Sequence, residues 1–441
     1  MAALALKLYS LLTWLAMAPL RARLRRRARS EPLYGERVGE RFGHYDAPAP
    51  QPGAGPLVWL HAVSLGETRA AALLLRELRA QLPTMRLLLT HGTATGRAAG
   101  QALLQPGDAQ VWLPWDTRGA TRRFVQHFRP DIGVLMETEI WPSLIAACRA
   151  QGIPVVLANA RLNEKSHAGA RRLAWLARPA YAALRAVWAQ TQQDAQRLAD
   201  LGAPVAGVLG NLKFDVVPDA AQQAQGRAWR HQAGRPVVLL ASTREGEEAL
   251  WLASLKQKML SVGVDKAHAA IQNIAKNEVQ WLLVPRHPQR FDEVAQLIRD
   301  AGLSVSRRSQ WQGGPEAADV WLGDSLGEMA LYGSMAHAAL LGGSFAPLGG
   351  QNLIEIAACG CPVIMGPHTF NFTEAARLAL AAGAAQRVPD MPAGVQAARE
   401  LVADTGRQAR QAERCLEFAA AHRGAAHATA QAIAQLLHAP R

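Results

Sequence analysis

The sequence predicts an α/β protein built from two doubly wound parallel-sheet domains. Three observations carry that expectation. Short apolar runs alternate with amphipathic helical patterns, the signature of parallel strands joined by right-handed crossovers. The alternation breaks over Gly207–Asp219 and restarts at Val237. At 441 residues the chain exceeds one ordinary core.

In the first half, strands are expected at Leu57–Val63, Arg86–Thr90, Val111–Pro114, Ile132–Met136, Val155–Ala158 and Val187–Ala189. Helices such as Thr68–Gln81 and Trp141–Gln151 lie between them, and the basic, aromatic stretch Arg161–Leu184 reads as helical. In the second half, strands are expected at Val237–Ala241, Trp281–Val284, Val320–Leu322, Ala338–Leu341 and Val363–Met365. Ser261–Glu278 is polar and weakly patterned, an insertion with no assigned role. The Ala-rich end is helical by propensity. The resulting organisation is 1–20 membrane anchor, 21–55 basic and polar connector, 56–206 N-terminal domain, 207–219 linker, 220–390 C-terminal domain and 391–441 helices. Ligands of such sheets bind beyond the carboxyl ends of the strands.

Net charge is +13 and the pI is near 10.2, which calls for an anionic partner: nucleic acid, acidic lipid or a phosphorylated substrate. No recognised nucleic-acid module is present, so no nucleic-acid partner is expected. Part of the charge sits in one run, Arg21, Arg23, Arg25, Arg26, Arg27 and Arg29. It follows a stretch, Met1–Leu20, that is apolar except for Lys7, Ser10 and Thr13. That length meets the roughly 20 residues a bilayer crossing needs. Ala16-Met17-Ala18 resembles a signal-peptidase site, yet no positive region precedes the apolar stretch. An N-terminal anchor with a cytoplasmic body is the expectation; an interfacial helix with its arginines on lipid headgroups is the milder form. The four cysteines form no Cys-x-x-Cys and fit a reducing compartment.

The most informative segment runs from Gly342 to Glu355. Paired glycines between a strand and a helix let backbone N–H groups approach a phosphate. Gly342, Gly343 and Ser344 are the expected phosphate loop. Asn352 and Glu355 share one face of the following helix and suit ribose hydroxyls. Other strand-end loops in this half carry similar chemistry. Ser242 and Thr243 open a helix, which suits an anion and equally an N-cap. Arg286 and His287 stand between prolines, and Arg there suits bidentate phosphate contact. Gly323 and Ser325 follow a further strand; the glycine permits close approach and the serine can cap a helix. His368 to Phe372 can line a site or simply pack.

In the first half, Ser64 and Glu67 fit a capping box, which explains both without any activity. The functional reading makes Glu67 a general base held at a helix N-terminus. Ala62-x-Ser64-x-Gly66 falls one glycine short of a hydrolase nucleophile elbow, which leaves a hydrolase acting through Ser64 as a second class. Glu139 sits at another strand tip beside Glu137 and Pro142, and is assigned to the same site. Arg69 and Arg97 can meet an anionic acceptor, although Gly92–Arg97 lacks phosphate-loop spacing. No metal-ligand signature occurs, so no metal cofactor is expected.

At these residues the sequence resembles the 3-deoxy-D-manno-octulosonic acid (Kdo) transferases of lipopolysaccharide biosynthesis. The resemblance runs from Gly35-Glu36-Arg37-Val38-Gly39-Glu40-Arg41-Phe42-Gly43 to Asn371-Phe372. It rests on His61 to Glu67, Glu137 to Pro142, Pro285-Arg286-His287-Pro288 and Gly342 to Glu355. It implies a GT-B fold, two Rossmann-like domains facing across a cleft, with a membrane anchor on the cytoplasmic face of the bacterial inner membrane. The donor would be CMP-Kdo, bound by Ser242, Thr243, Arg286, His287, Gly323, Ser325, Gly342, Gly343, Ser344, Asn352 and Glu355. The acceptor would be the lipid A precursor, near Ser64, Gly66, Arg69 and Arg97. Glu67 would be the catalytic base, with Glu139 orienting the acceptor or supporting Glu67. The remaining alternatives are a UDP-sugar enzyme of the same fold and the hydrolase.

Overall fold

The computed structural model describes residues 2–46, 48, 53, 55–260 and 279–438. The Ser261–Glu278 insertion lies outside the described residues. The chain forms two compact units, residues 1–215 with 423–441, and residues 216–422.

The first unit holds seven strands: β1 (Leu57–His61), β2 (Arg86–His91), β3 (Ala109–Trp112), β4 (Ile132–Met136), β5 (Val155–Ala160), β6 (Ala186–Ala189) and β7 (Val205–Val208). They pair in the order β3-β2-β1-β4-β5-β6-β7, all parallel. Its helices include α1 (Ala2–Leu15), α2 (Met17–Ser30), α3 (Leu65–Gln81), α4 (Ala94–Gln101), α5 (Arg118–Phe128), α6 (Pro142–Ala150), α7 (Glu164–Arg172), α8 (Ala174–Ala182) and α9 (Gln192–Asp200). Every residue of β1 and β4 is buried, as expected when helices cover both faces of a parallel sheet. One core gathers Trp59, Phe124, Leu135 and Leu157; the other gathers Val58, Leu60, Leu74, Leu78 and Val134. In α3, Ala70, Ala71, Leu74, Leu75 and Leu78 form the buried stripe of an amphipathic helix.

The second unit holds β8 (Val237–Thr243), β9 (Gln280–Pro285), β10 (Val305–Arg307), β11 (Val320–Leu322), β12 (Ala338–Leu341), β13 (Val363–Met365) and β14 (Ala385–Arg387). Their order is β10-β11-β9-β8-β12-β13-β14, again all parallel. α10 (Ala220–Gln232) leads into this sheet, and α11 (Glu247–Leu260) follows β8. In each sheet strand order reverses once near the middle, at β1/β4 and at β8/β12. Those reversals are the topological switch points where open α/β sheets bind ligands.

Three expectations are corrected. The stretch 207–219 is not a plain linker: β7 runs into it, and the 3-10 turn Leu212–Asp215 buries Leu212 and Phe214. The block 391–441 is divided. Residues up to His422 belong to the second unit, whereas the helix Ala425–His438 packs Ala426, Ala430 and Ile433 into the first unit's core. Asp215 holds that helix by accepting N–H bonds from Gly424 and, at 2.6 Å, from Ala426. The apolar stretch 1–20 is not one continuous helix. α1 ends at Leu15 and α2 starts at Met17, where Pro19 supplies no N–H to continue the α1 ladder. Among the described residues no helix is long and apolar enough to cross a membrane.

Candidate active-site residues

In the first unit, the switch point brings the β1–α3 and β4–α6 loops side by side. Ser64 caps α3, its hydroxyl accepting the Glu67 N–H at 3.4 Å. The Glu67 carboxylate reaches back, accepting the Val63 N–H at 2.9 Å and the Ser64 hydroxyl at 3.0 Å. The capping box is therefore formed, and it also fixes the carboxylate's direction. Burial pushes Glu67 above the usual carboxylate range, against the Val63 N–H; Glu137 adds to the rise, and Lys213 opposes it. Glu139 is pushed up to about 7, first by burial and then by the Glu67 charge. The Glu67 charge is thus felt at Glu139.

Glu137 itself has φ +58°, an uncommon left-handed geometry for a residue other than glycine. Its N–H donates to Ala158 O, and its carbonyl accepts from Arg161 N–H. Its carboxylate lies 3.2 Å from Lys213 Nζ. Lys213 is delivered by the 3-10 turn, whose Leu212 N–H donates to Asn159 Oδ1 at 3.1 Å. Glu137 and Lys213 were not among the expected site residues. The strand-tip position of Glu137 was a usable signal, whereas Lys213 sat in the supposed linker and had none.

Gly66 and Arg69 are exposed on the first turns of α3. Arg97 is not available to an acceptor. It is buried, pairs with Glu40 at 2.9 Å and lies over the Trp112 ring. Glu40 also accepts the Trp112 N–H at 2.7 Å, so this ion pair ties the N-terminal segment to β3.

In the second unit, the ends of β8, β9 and β12 meet. Ser242 takes a left-handed φ of +59°. A Cβ on Gly342 would lie 2.2 Å from the Ser242 carbonyl oxygen, so the two strand tails require glycine there. Several expected donor-binding groups are engaged within the unit. Thr243 donates to Glu248 at 2.6 Å, and Glu248 forms a buried two-point pair with Arg290 at 2.8 and 3.1 Å. Ser344 is fully buried, donating to Leu341 O at 2.5 Å and accepting the Gly366 N–H at 2.9 Å. Ser325 bonds Tyr332 at 2.5 Å and also meets Glu328. Gly323 packs against the Tyr332 ring and Val284. Thr243, Ser325 and Ser344, expected among the donor-binding residues, thus have their hydroxyls engaged within the unit.

The residue that organises this loop was not expected. Glu247, wholly buried, accepts N–H bonds from Gly343 (2.7 Å), Arg244 (2.9 Å), Phe345 (3.1 Å) and Ala346 (3.3 Å). The glycine loop's amides are thus held by an internal carboxylate. What stays half-exposed at these strand ends is Ser242, Arg244, Arg286, His287, Gln351, Asn352 and Glu355. Arg286 Nε donates to Gln351 at 3.2 Å. His287 is held below its ordinary value, first by burial and then by the Arg244 and Arg286 charges, which shows how cationic the spot is. Asn352 caps the short helix Leu353–Ala357 by accepting the Ile354 N–H at 3.2 Å, and Glu355 stands on its first turn. Among the described residues no cluster of His, Cys, Asp or Glu could hold a metal ion.

Comparison with known proteins identifies the family and the fold. Residues 36–216 match the family described as 3-Deoxy-D-manno-octulosonic-acid transferase (kdotransferase). A 3-deoxy-D-manno-octulosonic acid transferase of Bordetella pertussis is 49% identical over 400 residues, covering 89% of this chain and 90% of its own. The Haemophilus influenzae protein of the same name is 33% identical over 351 residues, covering 79% and 78%. Two solved structures share the fold: MurG of Acinetobacter baumannii (TM-score 0.51, 13% identity, covering 87% of this chain and 99% of its own), and UDP-GlcNAc 2-epimerase from Neisseria meningitidis (TM-score 0.52, 17% identity, covering 87% and 100%). The chain belongs to the 3-deoxy-D-manno-octulosonic acid (Kdo) transferases, glycosyltransferases of the GT-B fold.

Proposed function

We propose that the protein moves Kdo from CMP-Kdo to the bis-phosphorylated glucosamine disaccharide precursor of lipid A, with inversion at the anomeric carbon. The observation that carries this reading is Glu67: a half-buried carboxylate, fixed at a helix N-terminus, at the sheet's switch point, with its proton affinity raised. A base needs that poise, because an ordinary carboxylate is too weak to take a proton from an alcohol efficiently.

In the proposed step, Glu67 takes the proton of the acceptor's primary hydroxyl as that oxygen bonds to the anomeric carbon. The bond from that carbon to the CMP phosphate oxygen breaks, and CMP leaves with one more negative charge. The transition state has oxocarbenium character, as in other glycosyl chemistry. Arg286 and Arg244, at the strand ends of the second unit, suit the growing phosphate charge. Asn352 and Glu355 suit the ribose. Glu139, with its value near 7, holds or releases a proton beside Glu67. No step in this scheme calls for a metal. Arg69, Ser64 and Gly66 belong on the acceptor side.

The same reading lays α1 on the cytoplasmic leaflet of the inner membrane. Leu8, Leu11, Leu12, Trp14 and Leu15 are exposed along it, and the arginines of α2 follow. Apolar side chains beside a basic segment suit an anionic lipid surface.

The deciding assay follows CMP release and product mass for wild type and Glu67→Gln, with CMP-Kdo and the lipid A precursor. Transfer by wild type with a drop of roughly 10²–10⁴-fold in kcat for Glu67→Gln is expected. Unchanged CMP-Kdo binding should accompany it. A near-normal Glu67→Gln enzyme would leave Glu67 a helix cap and move the base to Glu139.

A further inference from the structure

We propose that the cavity beneath α1 binds one anionic phospholipid, with an acyl chain inside and the phosphate on Lys7, Arg118 and Arg122. This rests on the reading of α1 as a helix at the membrane surface and goes beyond it, from adsorption to a discrete site.

The cavity has a volume of about 510 Å³ and is lined by α1, α5 and α6. That size lies within the roughly 300–1,000 Å³ of ordinary small-ligand pockets. Its α6 wall is Ala146, Ala147 and Ala150, a smooth apolar surface that leaves room for a chain. Lys7, Arg118 and Arg122 line it as well, and among the described residues none of the three pairs with a carboxylate. Three cations beside an apolar slot match a phosphate joined to a hydrocarbon.

Two more observations point to an occupant. Ser10 and Ser143 both line the cavity, and each hydroxyl is buried without a hydrogen-bond partner. Ser143 is only 3% exposed. A buried hydroxyl left unpaired is costly, so a polar head or glycerol oxygen nearby is the natural complement. The roof is also built rather than accidental. Asp116, a buried carboxylate, accepts the Ser143 and Leu144 N–H groups at 3.0 and 2.8 Å, capping α6, and its charge adds to the burial that raises the Tyr9 phenol of α1 above its ordinary value. One buried carboxylate thus caps the wall and acts on the roof. The outward face of α1, Leu11 and Leu12, is where a lipid would arrive from the bilayer.

The test uses delipidated full-length protein in neutral detergent, with native mass spectrometry to count bound phosphatidylglycerol or phosphatidylcholine. Wild type should hold one phosphatidylglycerol, about tenfold more tightly than phosphatidylcholine. Arg118→Ala with Arg122→Ala, both at exposed heads, should erase that preference. Ala147→Trp should fill the slot and abolish the adduct; thermal melting checks that it folds, and the arginine pair decides if it does not. Leu12→Glu separates the two readings: it should weaken vesicle cosedimentation while leaving the one-lipid adduct intact. Equal binding of both lipids, or an adduct that survives Ala147→Trp, overturns the proposal. So does one-for-one displacement by the lipid A precursor, which would make the cavity part of the acceptor site. Wild type failing to cosediment with vesicles while keeping the adduct would sink only the surface reading.

Discussion

The Glu247 carboxylate accepts the Gly343 N–H at 2.7 Å across 96 residues of chain. With Arg244, Phe345 and Ala346 donating to the same group, a loop that reads as a phosphate cradle is instead shaped around the protein's own anion. The carboxylate can do this because backbone amides in such a nest favour negative charge. In the proposed reaction the donor phosphate would then fall to the side chains of Arg244 and Arg286.

Glu247→Ala would strand those four donors in a buried place. At about 1–3 kcal/mol for each group left unpaired, the loss should reach the 4–5 kcal/mol that marks exceptional substitutions. Glu247→Gln keeps one acceptor oxygen and should lose less. Urea unfolding at constant slope is the measurement; a midpoint for the alanine variant close to wild type would show that the loop does not depend on this group.

The acid side of the pH–rate profile should respond in opposite senses to two changes near Glu67. Glu137 raises the proton affinity of Glu67, and Lys213 lowers it. Glu137→Gln should therefore move the acid limb of kcat/KM to lower pH, and Lys213→Met should move it to higher pH. The limb belongs to interacting carboxylates, so its apparent value describes the group rather than one residue. Displacement of both variants in one direction would remove Glu67 from the titrating set.

Glu139 gives a stability test with a definite sign. Its folded value, about 7, lies above its ordinary 4.5, so the folded state favours the protonated form. The stabilisation is complete below about 4.5 and is lost as pH rises through 7. Glu139→Gln removes that dependence. Relative to wild type it should gain stability between pH 5 and pH 8, read as the difference in unfolding midpoints. A parallel pair of curves would mean that Glu139 is not desolvated.

How much of this was legible depends on distance along the chain. The strand tips bearing Glu67, Glu139, Arg286 and Gly342 were readable because apolar runs and helix starts are local patterns. β10 and β14 were not, having three residues each, with half-exposed or exposed positions among them. Glu247 and Lys213 escaped for a different reason: apart from Arg244 their partners are distant in sequence, and only folding brings a buried carboxylate to the Gly343–Ala346 amides or a lysine to Glu137. Arg97 misled because a basic residue near a strand end suits an anion and a buried ion pair equally, and its partner Glu40 lies 57 positions away. The apolar N-terminus misled because hydropathy registers its composition, whereas Pro19 interrupts the helix ladder.

That distinction makes Arg97 and Arg69 separable. Arg97→Ala would leave Glu40 charged and buried, a loss of about 3–5 kcal/mol by analogy with broken buried pairs. Arg69→Ala, on an exposed position, should leave the unfolding midpoint within about 0.5 kcal/mol of wild type. If Arg69 meets the acceptor, its variant should instead raise the acceptor KM while CMP-Kdo binding stays constant. An Arg97→Ala protein of normal stability with a raised acceptor KM would reverse the assignment.

Gly342 offers the sharpest geometric test in the second unit. A Cβ there would sit 2.2 Å from the Ser242 carbonyl oxygen and 2.5 Å from its carbon. The obstacle is backbone, so no rotamer change relieves it, and Ser242 is already in a left-handed conformation. Gly342→Ala must therefore push β8 and β12 apart at their ends, at a cost of about 1–3 kcal/mol typical of overpacking. Gly246→Ala is the control: its φ is +89°, but no atom lies within 4 Å of an added Cβ, so it carries conformational strain alone. If the ends of β8 and β12 hold the donor, Gly342→Ala should weaken CMP-Kdo binding beyond what its stability loss explains. Isothermal titration at a temperature well below both melting points separates the two effects. Equal donor affinity in the two alanine variants would place the nucleotide elsewhere than at this switch point.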